Sequence, residues 1–124
     1  MMNKTKKKTL VIGGSLKPER YANRAINMLT DYNHPVVSVG VREGQVAGVD
    51  IQTGRPEFND IDTVTMYVGP ANQSAFYDYI LGLHPKRIIF NPGTENRTFE
   101  KLAIENNIKT INHCTLVMLN EGSF

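Results

Sequence analysis

Three apolar runs in the 124-residue chain stop abruptly on glycine or proline: "LVI" on Gly13-Gly14-Ser15, "MYV" on Gly69-Pro70, and "IIF" on Asn91-Pro92-Gly93-Thr94. Such exits bring backbone N–H groups close to a ligand and favour anions, above all phosphates. Glycine and proline also simply end strands, so each exit taken alone is ordinary punctuation. The first carries more, because Ser15, Lys17 and Arg20 follow it and supply a hydroxyl and two cations.

The first turn departs from the dinucleotide fingerprint G-x-G-x-x-G. Counted from Gly13, the second glycine position holds Ser15 and the third Pro18. A side chain at the second position keeps a pyrophosphate from the closest backbone approach, but a serine hydroxyl donates to a phosphate oxygen. Pro18 presets φ for a turn or a first helical residue, so the helix is expected to begin at or after it, which lengthens the loop. After the run "VVSVGV", where a nicotinamide-nucleotide binder places an acidic residue on the ribose hydroxyl, the chain has Arg42. A cation there favours a phosphorylated ribose, as in NADP or coenzyme A, over NAD. The plain alternative is a solvated loop arginine.

Other reactive side chains point less clearly. His113 and Cys114 suggest a base and a nucleophile, but neighbouring side chains on a strand face opposite ways, and a lone thiol packs as a small hydrophobe. His34 and His84 each precede a proline with no Cys or carboxylate cluster at metal-ligand spacing, so no metal site is expected. Asp60 and Asp62 read as turn caps, and Tyr67, Tyr77 and Tyr79 as packing.

The elements that must carry these groups follow from periodicity. Strands are expected at 9–13, 36–41, 63–68, 87–91 and 109–113, with "VAGVDI" as one short strand in the Gly-, Asp- and Pro-containing stretch 42–62. Helices are expected at 21–32, 71–83 and 95–106, the last capped by Thr94, and "TLVML" (115–119) as an edge strand or packed tail. Several strands are continuously apolar, the mark of a parallel sheet covered on both faces. Strands alternating with helices make a doubly wound, Rossmann-like α/β domain with a mainly parallel sheet, spanning 9–124 behind a basic tail, 1–8, expected to be flexible.

Composition fits a small cytoplasmic protein. The length suits one domain that buries roughly two thirds of its unfolded surface. One cysteine excludes an internal disulfide and fits a reducing compartment. The net charge of +2 is exceeded by Lys4, Lys6, Lys7 and Lys8 together, so the body lacks the basic face of a nucleic-acid binder. "LVI" is too short for a signal peptide, and neither export nor a membrane partner is expected.

Laid end to end, "VIGGSLKPERYANRAI", "VVSVGV", "MYVGP", "IIFNPGTEN" and "NHC" resemble the small stand-alone CoA-binding domain proteins. These are similar in turn to the nucleotide-binding domain of the succinyl-CoA synthetase alpha subunit. The resemblance covers nearly the whole chain after the basic tail and implies coenzyme A or an acyl-CoA as ligand. It assigns the coenzyme's phosphates to Gly13, Gly14, Ser15 and Lys17, the adenosine phosphate end to Arg42, and the cleft walls to Val68, Pro70, Gly93 and Thr94. Leu16 and Arg20 from the first loop and Gly40 beside Arg42 are expected to bind the cofactor with them. Two places depart from the family pattern: Gly40-Val41 where Asn-Pro is common, and His113-Cys114-Thr115 where Arg-Cys-Pro or Asn-Cys-Pro is common. The ligase's phosphorylated histidine belongs to a further domain, so the expectation is binding without catalysis. The alternatives are a small NADP-dependent oxidoreductase, or a ligand-sensing or scaffold subunit. A homodimer or a separate protein partner stays open.

Overall fold

Apolar residues continue through β1 (Thr9–Gly14) because both of its faces are covered: Leu10, Val11 and Ile12 are all fully buried. Leu10 and Ile12 belong to a core shared with Val64, Met66, Ile88, Phe90 and Phe99, whereas Val11 faces Ala22, Ile26, Leu29, Ile51 and Leu119. The period-2 alternation of a strand thus sorts one continuous run into two cores.

The computed structural model describes residues 5–124. After β1 come α1 (Tyr21–Asp31), β2 (Val36–Gly40), β3 (Gly44–Val46), β4 (Val49–Gln52) and β5 (Thr63–Met66). Two 3-10 turns, Pro70–Asn72 and Ser74–Phe76, lead into α2 (Tyr77–Leu83), followed by β6 (Arg87–Phe90), α3 (Arg97–Glu105), β7 (Lys109–Asn112) and α4 (Thr115–Glu121). The strands form one sheet in the order β3-β4-β2-β1-β5-β6-β7, antiparallel only between β3 and β4. Residues of α2 and α3 pack into the first core; those of α1 and α4 pack into the second. This is a Rossmann-like domain. Among the described residues no helix is long and apolar enough to cross a membrane.

Four expectations change. "VAGVDI" is a hairpin instead of one strand: Ala47 and Gly48 take positive φ, 52° and 79°, giving the doubly left-handed turn that suits a two-residue hairpin. The stretch 71–83 is helical by i→i+3 bonds at first, with Gln73 N–H donating to Pro70 O at 3.2 Å and Phe76 N–H to Gln73 O at 2.8 Å, and becomes α-helix only at Tyr77. The cap of α3 is Asn96, whose Oδ1 accepts the Phe99 N–H at 3.0 Å, while the Thr94 hydroxyl donates to Asn91 O at 2.8 Å. "TLVML" is the helix α4, which buries Thr115, Met118 and Leu119 at helical spacing and ends on Gly122 at φ 79°.

The basic segment is pinned from Lys6 onward; Lys4 lies outside the described residues. Lys6, Lys7 and Lys8 donate through Nζ to the carbonyls of Tyr32, Phe124 and Asn59, at 3.1, 3.1 and 2.7 Å. The Lys7 N–H also donates to Nδ1 of His34 at 3.0 Å, and the His34 ring lies 4.9 Å from that of Phe124. Burial, with Lys6, Lys7 and Arg87 adding to it and Asp62 opposing, holds His34 below its ordinary value of 6.5. The unfolded chain therefore takes up the proton first as pH falls. His34 contributes stability that is complete above about pH 6.5 and is lost between there and the lower folded value. The melting temperature of the parent should accordingly fall faster than that of His34→Phe as pH is lowered from 7 to 5; parallel curves would contradict this.

Candidate functional site

Beyond β1 the chain crosses to β2 on one side of the sheet and later to β5 on the other, so the strand order reverses there. At such a point the connections leave in opposite directions and open a crevice at the carboxyl ends of the strands. Here it is a cleft of about 900 Å³.

Close packing sets its floor. Gly13 has φ 95°, and a Cβ on it would lie 3.1 Å from the Tyr67 carbonyl carbon and from Cγ2 of Val68. A Cβ on Gly14 would collide with the Ser38 hydroxyl, which is buried and donates to Val11 O at 3.0 Å. A Cβ on Gly40 would strike the Gly14 carbonyl and approach Cγ2 of Ile51 to 2.9 Å. The register between β1 and β2 slips between Ile12 and Gly14, where these contacts fall. Gly14 and Gly40 are thus demanded by the fit of two strands.

The loop above is held at both ends. Ser15 Oγ accepts the Lys17 N–H at 3.1 Å and leaves its own proton to donate. Ser15 O accepts from Nδ2 of the buried Asn23 at 2.9 Å, and Arg20 N–H donates to Lys17 O at 3.0 Å across Pro18. The helix α1 then starts at Tyr21 with no side-chain cap and no acidic residue in its first turn. No side chain among the described residues caps its leading N–H groups or its positive dipole end.

Charge is laid out unevenly across the cleft. Lys17 and Arg20 from the loop after β1, and Arg42 from the exit of β2, line it, with no carboxylate among its lining residues. The walls over β5 and β6 are Tyr67, Gly69, Pro92, Gly93 and Thr94, all uncharged. Leu16, Tyr21 and Val41 also line the cleft; they are three of the six exposed large hydrophobics among the described residues, Val41 at 94 %.

Of the expected site residues, Gly13, Gly14, Ser15, Leu16, Lys17, Arg20, Arg42, Gly93 and Thr94 meet on this cleft; Gly40, Val68 and Pro70 do not line it. Gly40 lies beneath, Val68 packs on the first core, and Pro70 opens an exposed 3-10 turn. Gly69 and Pro92, from the exits of two apolar runs, also line it, and Tyr21, Ala22, Val41 and Tyr67 join the lining unexpectedly. Val41 gave no signal, because the run "VVSVGV" reads it as the last residue of a strand that in fact stops at Gly40.

Below the β5 and β6 exits lies a buried polar network. Asn91 Nδ2 donates to Thr65 Oγ1 at 2.7 Å and to Met66 O at 2.8 Å, and its Oδ1 accepts the Thr115 N–H at 2.8 Å. The Thr65 and Thr115 hydroxyls pair at 2.8 Å. The buried Tyr67 hydroxyl beside them has no hydrogen-bond partner among the described residues. Burial raises Tyr67 above the usual tyrosine range despite those neighbouring hydroxyls, so it stays a neutral phenol.

His113 is engaged elsewhere. Its Nδ1 accepts the Cys114 N–H at 2.7 Å and its Nε2 stands 3.2 Å from the Glu121 carboxylate, so neither nitrogen is given to the Cys114 thiol. A hydrogen bond from Ser123, with His113 adding to it, keeps Glu121 below the usual carboxylate range. No group of three or more potential metal ligands occurs among the described residues.

Fold and cleft together define a Rossmann-like domain with a crevice at its switch point that Lys17, Arg20 and Arg42 line. The chain belongs to the CoA binding domain family, whose model matches residues 7–120. It is similar to an uncharacterized protein of known crystal structure, with 45% identity over 98% of this chain and 100% of that one, at a TM-score of 0.95. A hypothetical protein from Pyrococcus horikoshii (24% identity, 94% of this chain and 83% of that one, TM-score 0.85) shares the fold. So does a Thermus thermophilus protein (19%, 96% and 91%, TM-score 0.83). No curated protein matches the chain.

Proposed function

We propose that the chain binds coenzyme A, free or acylated, in this cleft, and acts as a binding domain. The observation that carries the reading is the uneven charge: Lys17, Arg20, Arg42 and the uncapped start of α1 on one side, an uncharged wall on the other. Coenzyme A has the same asymmetry, with a pyrophosphate and a ribose phosphate at one end and a long uncharged arm at the other. Leu16, Tyr21 and Val41 offer apolar surface for the adenine beside the cations. A volume of about 900 Å³ is large enough for such a ligand, near the upper end of small-molecule sites.

Calorimetric titration with coenzyme A, NADP and NAD tests this directly; tighter binding of NAD than of coenzyme A would overturn it. Arg42 is assigned to the ribose phosphate. The parent should therefore prefer coenzyme A over 3′-dephospho-coenzyme A by about tenfold, the worth of one exposed charge-assisted contact, and Arg42→Ala should lose that preference. An Arg42→Ala protein that still discriminates between the two would remove Arg42 from this role.

A further inference from the structure

Beyond Met66 and Phe90 the strands β5 and β6 part, and the carbonyls of the exit loops lose their ladder partners. The structure supplies two of them from one side chain. Gln73 is fully buried, and its Nε2 donates to Val68 O at 2.9 Å and to Thr94 O at 2.7 Å. Its Oε1 accepts from Asn96 Nδ2 at 3.0 Å, and Asn96 in turn caps α3. Each polar atom of this amide is bonded, which is what so deep a burial demands. Gln73 itself does not line the cleft, but Tyr67, Gly69, Gly93 and Thr94, on the loops it joins, do.

We propose that Gln73 is a positioning residue: it fixes the spacing between the β5 and β6 exits, the two uncharged lips on which the non-phosphate arm of the ligand lies. This rests on the coenzyme A reading above. The cations sit over β1 and β2, so the phosphates occupy that side and the arm is left the braced side. A preformed pair of lips spares the ligand the ordering of two loops on binding, and that saving falls on the arm alone.

The test compares two ligands on two variants. Gln73→Met keeps the side chain's bulk and removes all three hydrogen bonds. Adenosine 3′-phosphate 5′-diphosphate is coenzyme A without its arm. In calorimetry, Gln73→Met should bind this arm-free nucleotide as the parent does, within about twofold, and coenzyme A about tenfold more weakly. Equal weakening of both ligands, or none, overturns the proposal and leaves Gln73 a stabilising residue. Should Gln73→Met not fold, Asn96→Ser retains a capping side chain for α3 and deletes the bonds that Nδ2 donates to Gln73 and to the Tyr77 hydroxyl; the same split, smaller, is expected of it, and its absence is equally decisive. A parent that binds the arm-free nucleotide but gains nothing from the arm refutes this proposal alone, whereas a parent that binds neither ligand refutes the coenzyme A reading with it.

Discussion

Ser15→Phe should lower coenzyme A affinity by at least about a hundredfold while moving the melting temperature by no more than about 2 °C. The serine is half-buried on the wall of the cleft, and among the described residues its side chain makes one bond, which Oγ accepts from the exposed Lys17 N–H. Losing that bond costs the fold little, because water replaces it. A benzyl group at this point occupies the space directly before the uncapped start of α1 and removes the hydroxyl assigned to a phosphate oxygen. Titration of the variant alongside a thermal melt separates the two effects. Binding equal to the parent's would reduce the loop to a strand-to-helix connection.

Gly14→Ala should have the opposite signature, a loss of stability of about 2–3 kcal/mol, or roughly 10 °C in melting temperature, before any ligand is added. The added methyl collides with the Ser38 hydroxyl inside a sheet whose neighbours cannot retreat. The collision is mostly with one atom, since the Ser38 Cβ lies at 3.3 Å, tight but within reach of a small adjustment. Ser38→Ala alone loses its bond to Val11 O, worth about 1 kcal/mol. The double variant should be more stable than the sum of the two losses predicts, by at least about 1 kcal/mol. Strict additivity would mean that Gly14 is required for some reason other than Ser38.

Residue type announced much of this architecture. The uninterrupted apolar run of β1 and the stripe Ala22, Ile26 and Leu29 on α1 required a sheet covered on both sides, because no half-exposed strand bears such a run. That the loop Gly13–Arg20 and Arg42 meet on one cleft was legible because a parallel sheet brings the exits of its strands to one edge. What escaped notice depended on distant partners. Gln73 reads as a surface residue until the carbonyls of Val68 and Thr94 converge on it. Ala47 gives no hint that it takes a left-handed conformation. Thr115 and Val117 favour strands by their branching, and only the burial of Thr115, Met118 and Leu119 on one stripe decides for a helix. Tyr67 and Val41 looked like strand continuations because their exposure depends on where β5 and β2 stop.

The glycine floor has an evolutionary consequence. Gly14, Gly40 and Ser38 are locked together below the loop, while Lys17, Arg20, Val41 and Arg42 stand exposed above it. Exposed positions of that kind tolerate substitution at a cost of about half a kcal/mol or less. Mutational drift can therefore rewrite what the cleft recognises without endangering the scaffold, and descendants of one such chain are free to diverge in ligand while their backbones stay superimposable.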